Sequence, residues 1–108
     1  MISNRLSQLL EMLDDSQPDA FLLFAIAKEY EGMEMKQESL QYYLQLKTHH
    51  PDYVGLYYHL AALYIQLNNQ DEALRTYEEG ITLATRLSDF HARAELLNAK
   101  QNMELEDY

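Results

Sequence analysis

The feature that most constrains this chain is an internal repeat. Displaced by 34 residues, the sequence falls on itself: Leu22 on Leu56, Ala27 on Ala61, Tyr30 on Tyr64, Glu38 on Glu72, Leu40 on Leu74, Tyr43 on Tyr77 and Thr48 on Thr82. Similar residues fill in between, with Phe24 on Tyr58, Ile26 on Leu60 and Ser39 on Ala73. A fixed period of this kind marks a supersecondary unit that cannot bury its apolar face alone and must stack on neighbours. Apolar residues recur every three to four positions, which is the period of an amphipathic helix, and no segment keeps the strict alternation of a strand.

Six helices are expected, at about 3–14, 19–32, 36–49, 53–67, a fifth ending near Arg86, and 89–104. The breaks between them carry turn chemistry. Asp14 to Asp19 ends the first helix, and Pro18 suits the first turn of the second, where its missing N–H would be unpaired anyway. Gly32 is expected to stop the second helix. Pro51 closes the third, because the residue before a proline is pushed out of helical geometry. Asn68-Asn69-Gln70-Asp71 offers caps for the fifth.

Composition narrows the function classes. A chain of 108 residues supports one compact domain. Eight Lys and Arg against eighteen Asp and Glu leave a formal charge of −10, which argues against partners held by phosphates, so neither nucleic acid nor an anionic membrane is expected. With no cysteine there is no disulfide, thiolate metal site or cysteine nucleophile. The longest apolar run, Ala20 to Ala27, is far shorter than the roughly 18 residues a membrane span needs, and the N-terminal residues do not read as a secretory signal. A cytoplasmic location is the expectation.

A helix–turn–helix period of 34 residues resembles the tetratricopeptide repeat (TPR). The first repeat reads Leu23, Ile26, Ala27, Tyr30, Ser39, Tyr43, Leu46 and Pro51 at that family's characteristic positions. The second reads Tyr57, Leu60, Ala61, Tyr64, Ala73, Tyr77, Gly80 and Thr85, with Thr85 in place of the closing proline, so the fifth helix is free to run on. Small residues let two helix backbones approach while tyrosines fill the space beside them. The same register further on gives His91, Ala94, Glu95 and Asn98, which departs from the pattern. The resemblance implies an all-α fold, an α-solenoid of antiparallel helix pairs in a right-handed superhelix. Its expected divisions are a half-repeat helix at 1–17, repeats at 20–53 and 54–87, and a solvating cap helix with an acidic tail at 88–108.

The resemblance also implies a non-catalytic interaction module, whose first helices line a concave groove for an extended peptide or a helix of another protein. By register the groove positions are Phe21, Phe24, Lys28 and Glu31, then Tyr58, Ala62 and Ile65, then Ala92 and Leu96. That surface is largely apolar and suits an apolar segment. One branch of the family clamps a C-terminal carboxylate with several Lys, Arg and Asn side chains. Phe24, His59 and Ala62 do not supply that set, and the acidic charge opposes an acidic tail.

Two other readings stay open: a structural, homodimeric protein whose groove is filled by its own copy, and a small acidic chaperone for a secreted protein. His49, His50 and Asp52 are metal-ligand types, but adjacent histidines at a helix end point apart, so no metal and no cofactor is expected. Asp14, Asp15 and Asp19 lack the spacing of a calcium loop. No Ser-His-Asp spacing, phosphate-binding glycine loop or dinucleotide fingerprint is present, and no catalytic residue is expected.

Overall fold

Helix formation in this chain is set by apolar spacing and by where the backbone is capped. The computed structural model describes residues 3–106 and contains six helices and no strand among them: α1 Asn4–Met12, α2 Ala20–Gly32, α3 Lys36–His49, α4 Gly55–Gln66, α5 Gln70–Arg86 and α6 Phe90–Glu106. It is an all-α helical repeat fold. Two compact units meet at 53/54.

In the first unit α1 packs on α2, and α2 on α3. Ser3 caps α1 by accepting the Leu6 N–H at 3.0 Å. Asp19 caps α2, its Oδ1 accepting from Phe21 N–H at 2.7 Å and Leu22 N–H at 3.2 Å. Pro18 therefore lies two residues before α2, on the far side of the Asp19 cap, and not in its first turn. A carboxylate satisfies two orphan donors there, which an N-terminal proline cannot do. Pro18 is buried instead, and its carbonyl accepts from His50 Nε2 at 2.7 Å, which ties the start of α2 to the end of α3.

Leu6, Ile26 and Tyr30 form a buried cluster, with Leu9, Leu10 and Leu13 of the α1 segment packed around it. Arg5 Nε meets Glu29 Oε1 at 2.7 Å on the surface of the same contact. Where α2 and α3 cross, the buried Ser39 hydroxyl donates to the Ala27 carbonyl at 2.8 Å. Only a small side chain at both positions allows so close a crossing.

In the second unit α4 packs on α5, and α6 lies against both. Asn69 caps α5 through the Glu72 N–H. At Gly80 a Cβ atom would lie 2.6 Å from Tyr57 Cβ, so α5 approaches α4 more closely than any side chain on α5 permits. The matching positions of the first repeat hold Leu23 and Leu46, both fully buried. One repeat fills the space with two leucines, the other with a tyrosine and a glycine.

Three helices end by the same device, and glycine is absent from it. Glu34, Asn68 and Ser88 take positive φ, at 59°, 61° and 56°. Each is followed by an N–H that reaches back five residues: Met35 to Tyr30, Asn69 to Tyr64 and Asp89 to Ala84, each at 2.9 Å. These are Schellman stops. Gly32, expected to end α2, is instead its last helical residue and does not take positive φ. α5 runs on through Thr85 to Arg86 before Ser88 turns the chain.

Candidate functional site

Phe21, Phe24, Lys28 and Glu31 follow one another at helical spacing along one face of α2, and the two ends of that face behave differently. Phe21 is 67% exposed. One turn on, the half-buried Phe24 ring packs edge-on to Tyr43 with centroids 6.2 Å apart, and against Tyr53 at 5.7 Å. Aromatic pairs in this range gain about 0.5–1.5 kcal/mol beyond area burial, so the cluster is stiff. Lys28 is exposed and its Nζ lies 3.7 Å from Glu31 Oε1. Glu31 in turn accepts from the Tyr43 hydroxyl at 2.8 Å. Burial, then the hydrogen bond to Glu31, pushes the Tyr43 phenol far above its ordinary range.

The face is thus an exposed phenylalanine, a fixed aromatic cluster and a charged pair held from below. Beside it opens a depression of about 430 Å³, lined by Ala20, His49, His50, Pro51, Asp52 and Tyr53. Tyr53 was not among the sequence candidates. It lies in the turn before α4, where its N–H bonds the His50 carbonyl at 3.0 Å, and no periodicity reaches into a turn.

On α4 the register positions Tyr58, Ala62 and Ile65 also share one face. Tyr58 is 42% exposed, its ring 5.5 Å from that of His59, while Ala62 and Ile65 are half-buried. Tyr77 is almost fully buried, and its phenol is raised first by burial and then by the neighbouring Tyr58. Where α2 carries Lys28 and Glu31, α4 carries only methyl-bearing side chains.

Leu96 does not belong with these residues. It is 2% exposed and turned onto Gly80, where its Cδ1 would stand 3.0 Å from an added Cβ. It fills the space that the missing side chain leaves, and so serves the core. Ala92, one turn earlier on α6, is half-buried.

The residues assigned to the repeat core divide as follows. Leu23, Ile26, Ala27, Tyr30, Tyr43, Tyr57, Leu60, Ala61, Ala73 and Tyr77 are buried. Tyr64 is half-buried, and its phenol is raised by burial and by Glu72 and Glu79. Pro51 is exposed, contrary to its expected place in the core: α3 ends at His49, before the proline, and Pro51 occupies the surface turn after His50.

His50 is committed to the Pro18 carbonyl, and among the described residues no group of three or more His, Asp or Glu side chains is placed to hold a metal ion. Asp14 accepts from the Ser16 N–H at 3.0 Å and hydroxyl at 2.8 Å, a local turn whose first effect is to lower the Asp14 carboxyl below its usual value. Asp107, which closes the acidic tail, lies outside the described residues. No helix among the described residues is long and apolar enough to cross a membrane.

Comparison with known proteins gives a consistent result. The sequence pattern of the tetratricopeptide repeat matches residues 54–86. The solution structure of a tetratricopeptide repeat domain protein from Salinibacter ruber superposes with a TM-score of 0.77 at 36% identity, over 80% of this chain and 87% of that one. A crystal structure of the tetratricopeptide repeat domain protein from the same organism gives 0.75 at 36% identity, over 80% and 96%. MamA gives 0.67 at 15% identity over 94% of this chain and 66% of its own, a likeness of fold alone. No protein of curated function matches the chain.

Proposed function

The chain belongs to the tetratricopeptide repeat family, a fold of protein-interaction scaffolds, and from that premise we propose that it is a non-catalytic module binding an apolar peptide segment or helix of another protein through α2 and α4. The observation that carries this reading is the exposure of Phe21 and Tyr58 at their helix faces, at 67% and 42%. Large aromatics left in water on a rigid helix mark contact surfaces.

The physical mechanism is preorganisation. Phe24 is already fixed by Tyr43 and Tyr53, and Glu31 by the Tyr43 hydroxyl, so the face orders few groups when a ligand arrives. The partner contributes an apolar side chain to Phe21 and a polar group to the Lys28–Glu31 pair, and a wholly apolar stretch to Tyr58, Ala62 and Ile65. A cytoplasmic site of action is part of this proposal.

The test is affinity capture from a lysate of the organism that carries the gene, comparing the natural chain with a Phe21→Asp/Tyr58→Asp variant. Both substituted side chains are exposed, so helicity is preserved. Phe24 is unsuitable for this purpose, because an aspartate there would be buried among Tyr43 and Tyr53. A protein held by the natural chain and lost by the equally helical variant supports the reading. A protein held equally by both refutes it.

A further inference from the structure

α1 is a helix that its own residues do little to hold. It is 9 residues long, below the roughly 12–15 that an isolated helix needs in water. Arg5 stands in its first turn and Glu11 in its last, each beside the helix end whose partial charge has the same sign. Ser3 caps its start, but it ends at Leu13 in extended backbone, whereas α2, α4 and α5 end in Schellman stops.

What keeps α1 helical is therefore the surface beneath it. Leu6, Leu9, Leu10 and Leu13, spaced i, i+3, i+4 and i+7, form one apolar stripe. The stripe rests on Ile26 and Tyr30 of α2, on Met33 and Met35 in the turn that follows, and on Tyr42 of α3, whose ring stacks on Tyr30 at 5.6 Å. Leu6 is fully buried there, and the other three leucines are half-buried. The Arg5–Glu29 pair is largely solvated on the Arg5 side, so it steers α1 more than it holds it. Residues 14–17 of the connection to α2 are exposed, and Asp14 and Ser16 close a local turn within it. Pro18 beyond them is pinned by His50, so the start of α2 stays in place if α1 lifts away.

We propose that Ile26, Tyr30, Met33, Met35 and Tyr42 form a helix-binding seat, that α1 is its built-in occupant, and that an amphipathic helix of another protein takes the seat when α1 opens. α1 itself specifies that helix: leucines at i, i+3, i+4 and i+7, and a cation one position before the first of them to meet Glu29. A chain at −10 favours the same cation, and flexible methionine side chains let the seat adjust to leucines of a different helix. At about 100° per residue, Ile26 and Tyr30 lie on the side of α2 opposite to Phe21, Phe24, Lys28 and Glu31. The seat is therefore separate from the face proposed above and does not rest on that reading.

Two measurements test this. In hydrogen exchange of the full chain, the amides of Gln8 to Met12 should share one opening equilibrium and exchange at least tenfold faster than those of Ile26 and Tyr30. Exchange graded along α1 from one end is fraying, and exchange no faster than in α2 makes α1 part of one cooperative core; either overturns the proposal. Leu6→Ala should speed exchange throughout α1 by up to about a hundredfold and leave α2, α4 and α5 protected. A variant that loses helicity in α2 as well also overturns it.

The second measurement uses residues 3–13 as a peptide with acetyl and amide termini, added to the full chain. The short connection holds α1 near its seat at about millimolar effective concentration, so a hundredfold closing equilibrium corresponds to a peptide Kd of roughly tens of micromolar for the bare seat. The Leu6→Ala chain should bind the peptide near that value, with shifts in the Ile26 and Tyr30 signals, and the natural chain about a hundredfold more weakly. Failure of the Leu6→Ala chain to bind, or equal binding by both chains, refutes the seat. Phe21→Asp/Tyr58→Asp leaves the seat intact, so the two binding surfaces fail separately.

Discussion

Two glycines in helices make opposite demands, and replacing each by alanine measures the difference. In an open helix the change gains roughly 0.5–1 kcal/mol, because alanine surrenders less backbone entropy than glycine. Gly32 ends α2, is exposed, and an added Cβ there meets nothing within 4 Å. Gly32→Ala should therefore stabilise by about 0.5 kcal/mol, which raises Tm by roughly 2–4 °C.

At Gly80 the same Cβ would stand 2.6 Å from Tyr57 Cβ, 3.2 Å from Tyr57 Cγ and 3.0 Å from Leu96 Cδ1. Carbon atoms pack at about 3.5–4.0 Å, so α5 must retreat by about 1 Å from α4. Tyr57 and Leu96 are 4% and 2% exposed, and the closest atom is a Cβ fixed to the backbone, so no rotamer relieves the contact. Overpacking of this kind costs about 3 kcal/mol at the upper end of its usual range. Set against a propensity gain of about 1 kcal/mol, the net loss is about 2 kcal/mol, or a Tm lower by roughly 8–16 °C. Thermal and urea unfolding followed by far-ultraviolet circular dichroism reads both variants. A Gly80→Ala protein as stable as the natural one would refute the close approach of α4 and α5, and a destabilised Gly32→Ala would refute the propensity argument.

Further outcomes follow from single contacts. Tyr43→Phe removes the hydroxyl that donates to Glu31, and should lower stability by about 1–2 kcal/mol in urea unfolding while leaving the ring packing in place. Glu34→Gly should stabilise by about 1 kcal/mol, because glycine takes φ near 59° without strain, and a smaller change is expected for Asn68→Gly, since asparagine tolerates that region. Asp19→Ala should cost about 1 kcal/mol through loss of the cap at Phe21 and Leu22, seen as a lower urea midpoint. The phenols of Tyr42, Tyr43, Tyr64 and Tyr77 are all raised above 10.0, in each case first by burial. Below that value both folded and unfolded chains hold these protons and stability is full. Above it the unfolded chain binds fewer protons, so stability falls as pH rises. Phenolate absorbance should appear together with loss of helicity; four phenols ionising at their ordinary value in a still-helical protein would contradict the burial.

The helices and most of the repeat core were legible in the sequence because both depend on spacing. A 34-residue register placed Ala27, Ala61, Tyr43 and Tyr77 on inward faces before any contact was known. The ends of α2, α4 and α5 were legible to within a residue, but the device that makes them was not, because Glu34, Asn68 and Ser88 adopt a glycine-like conformation that their side chains do not announce. Tyr53 was missed for a related reason, since it acts from a turn where no period applies. The candidate binding face was half legible: Phe21 and Tyr58 were named, but their neighbours' roles, Phe24 in an aromatic cluster and Glu31 held from below by a tyrosine hydroxyl, depend on tertiary contacts.

The sequence by itself determined that the chain is an all-helical repeat of paired helices, and which residues could be small where backbones cross. Those properties are local or additive, and a repeat states them twice. Tertiary structure alone decided which side of α6 docks. Leu96 and Leu97 are adjacent leucines about 100° apart on one helix, and nothing in the spacing says which turns inward. The bare Gly80 on α5 decides it, because the space left above it beside Tyr57 admits one side chain from α6, and Leu96 takes that place. Leu97 is then left on the outer face, with Phe90 and Leu105 on either side of it.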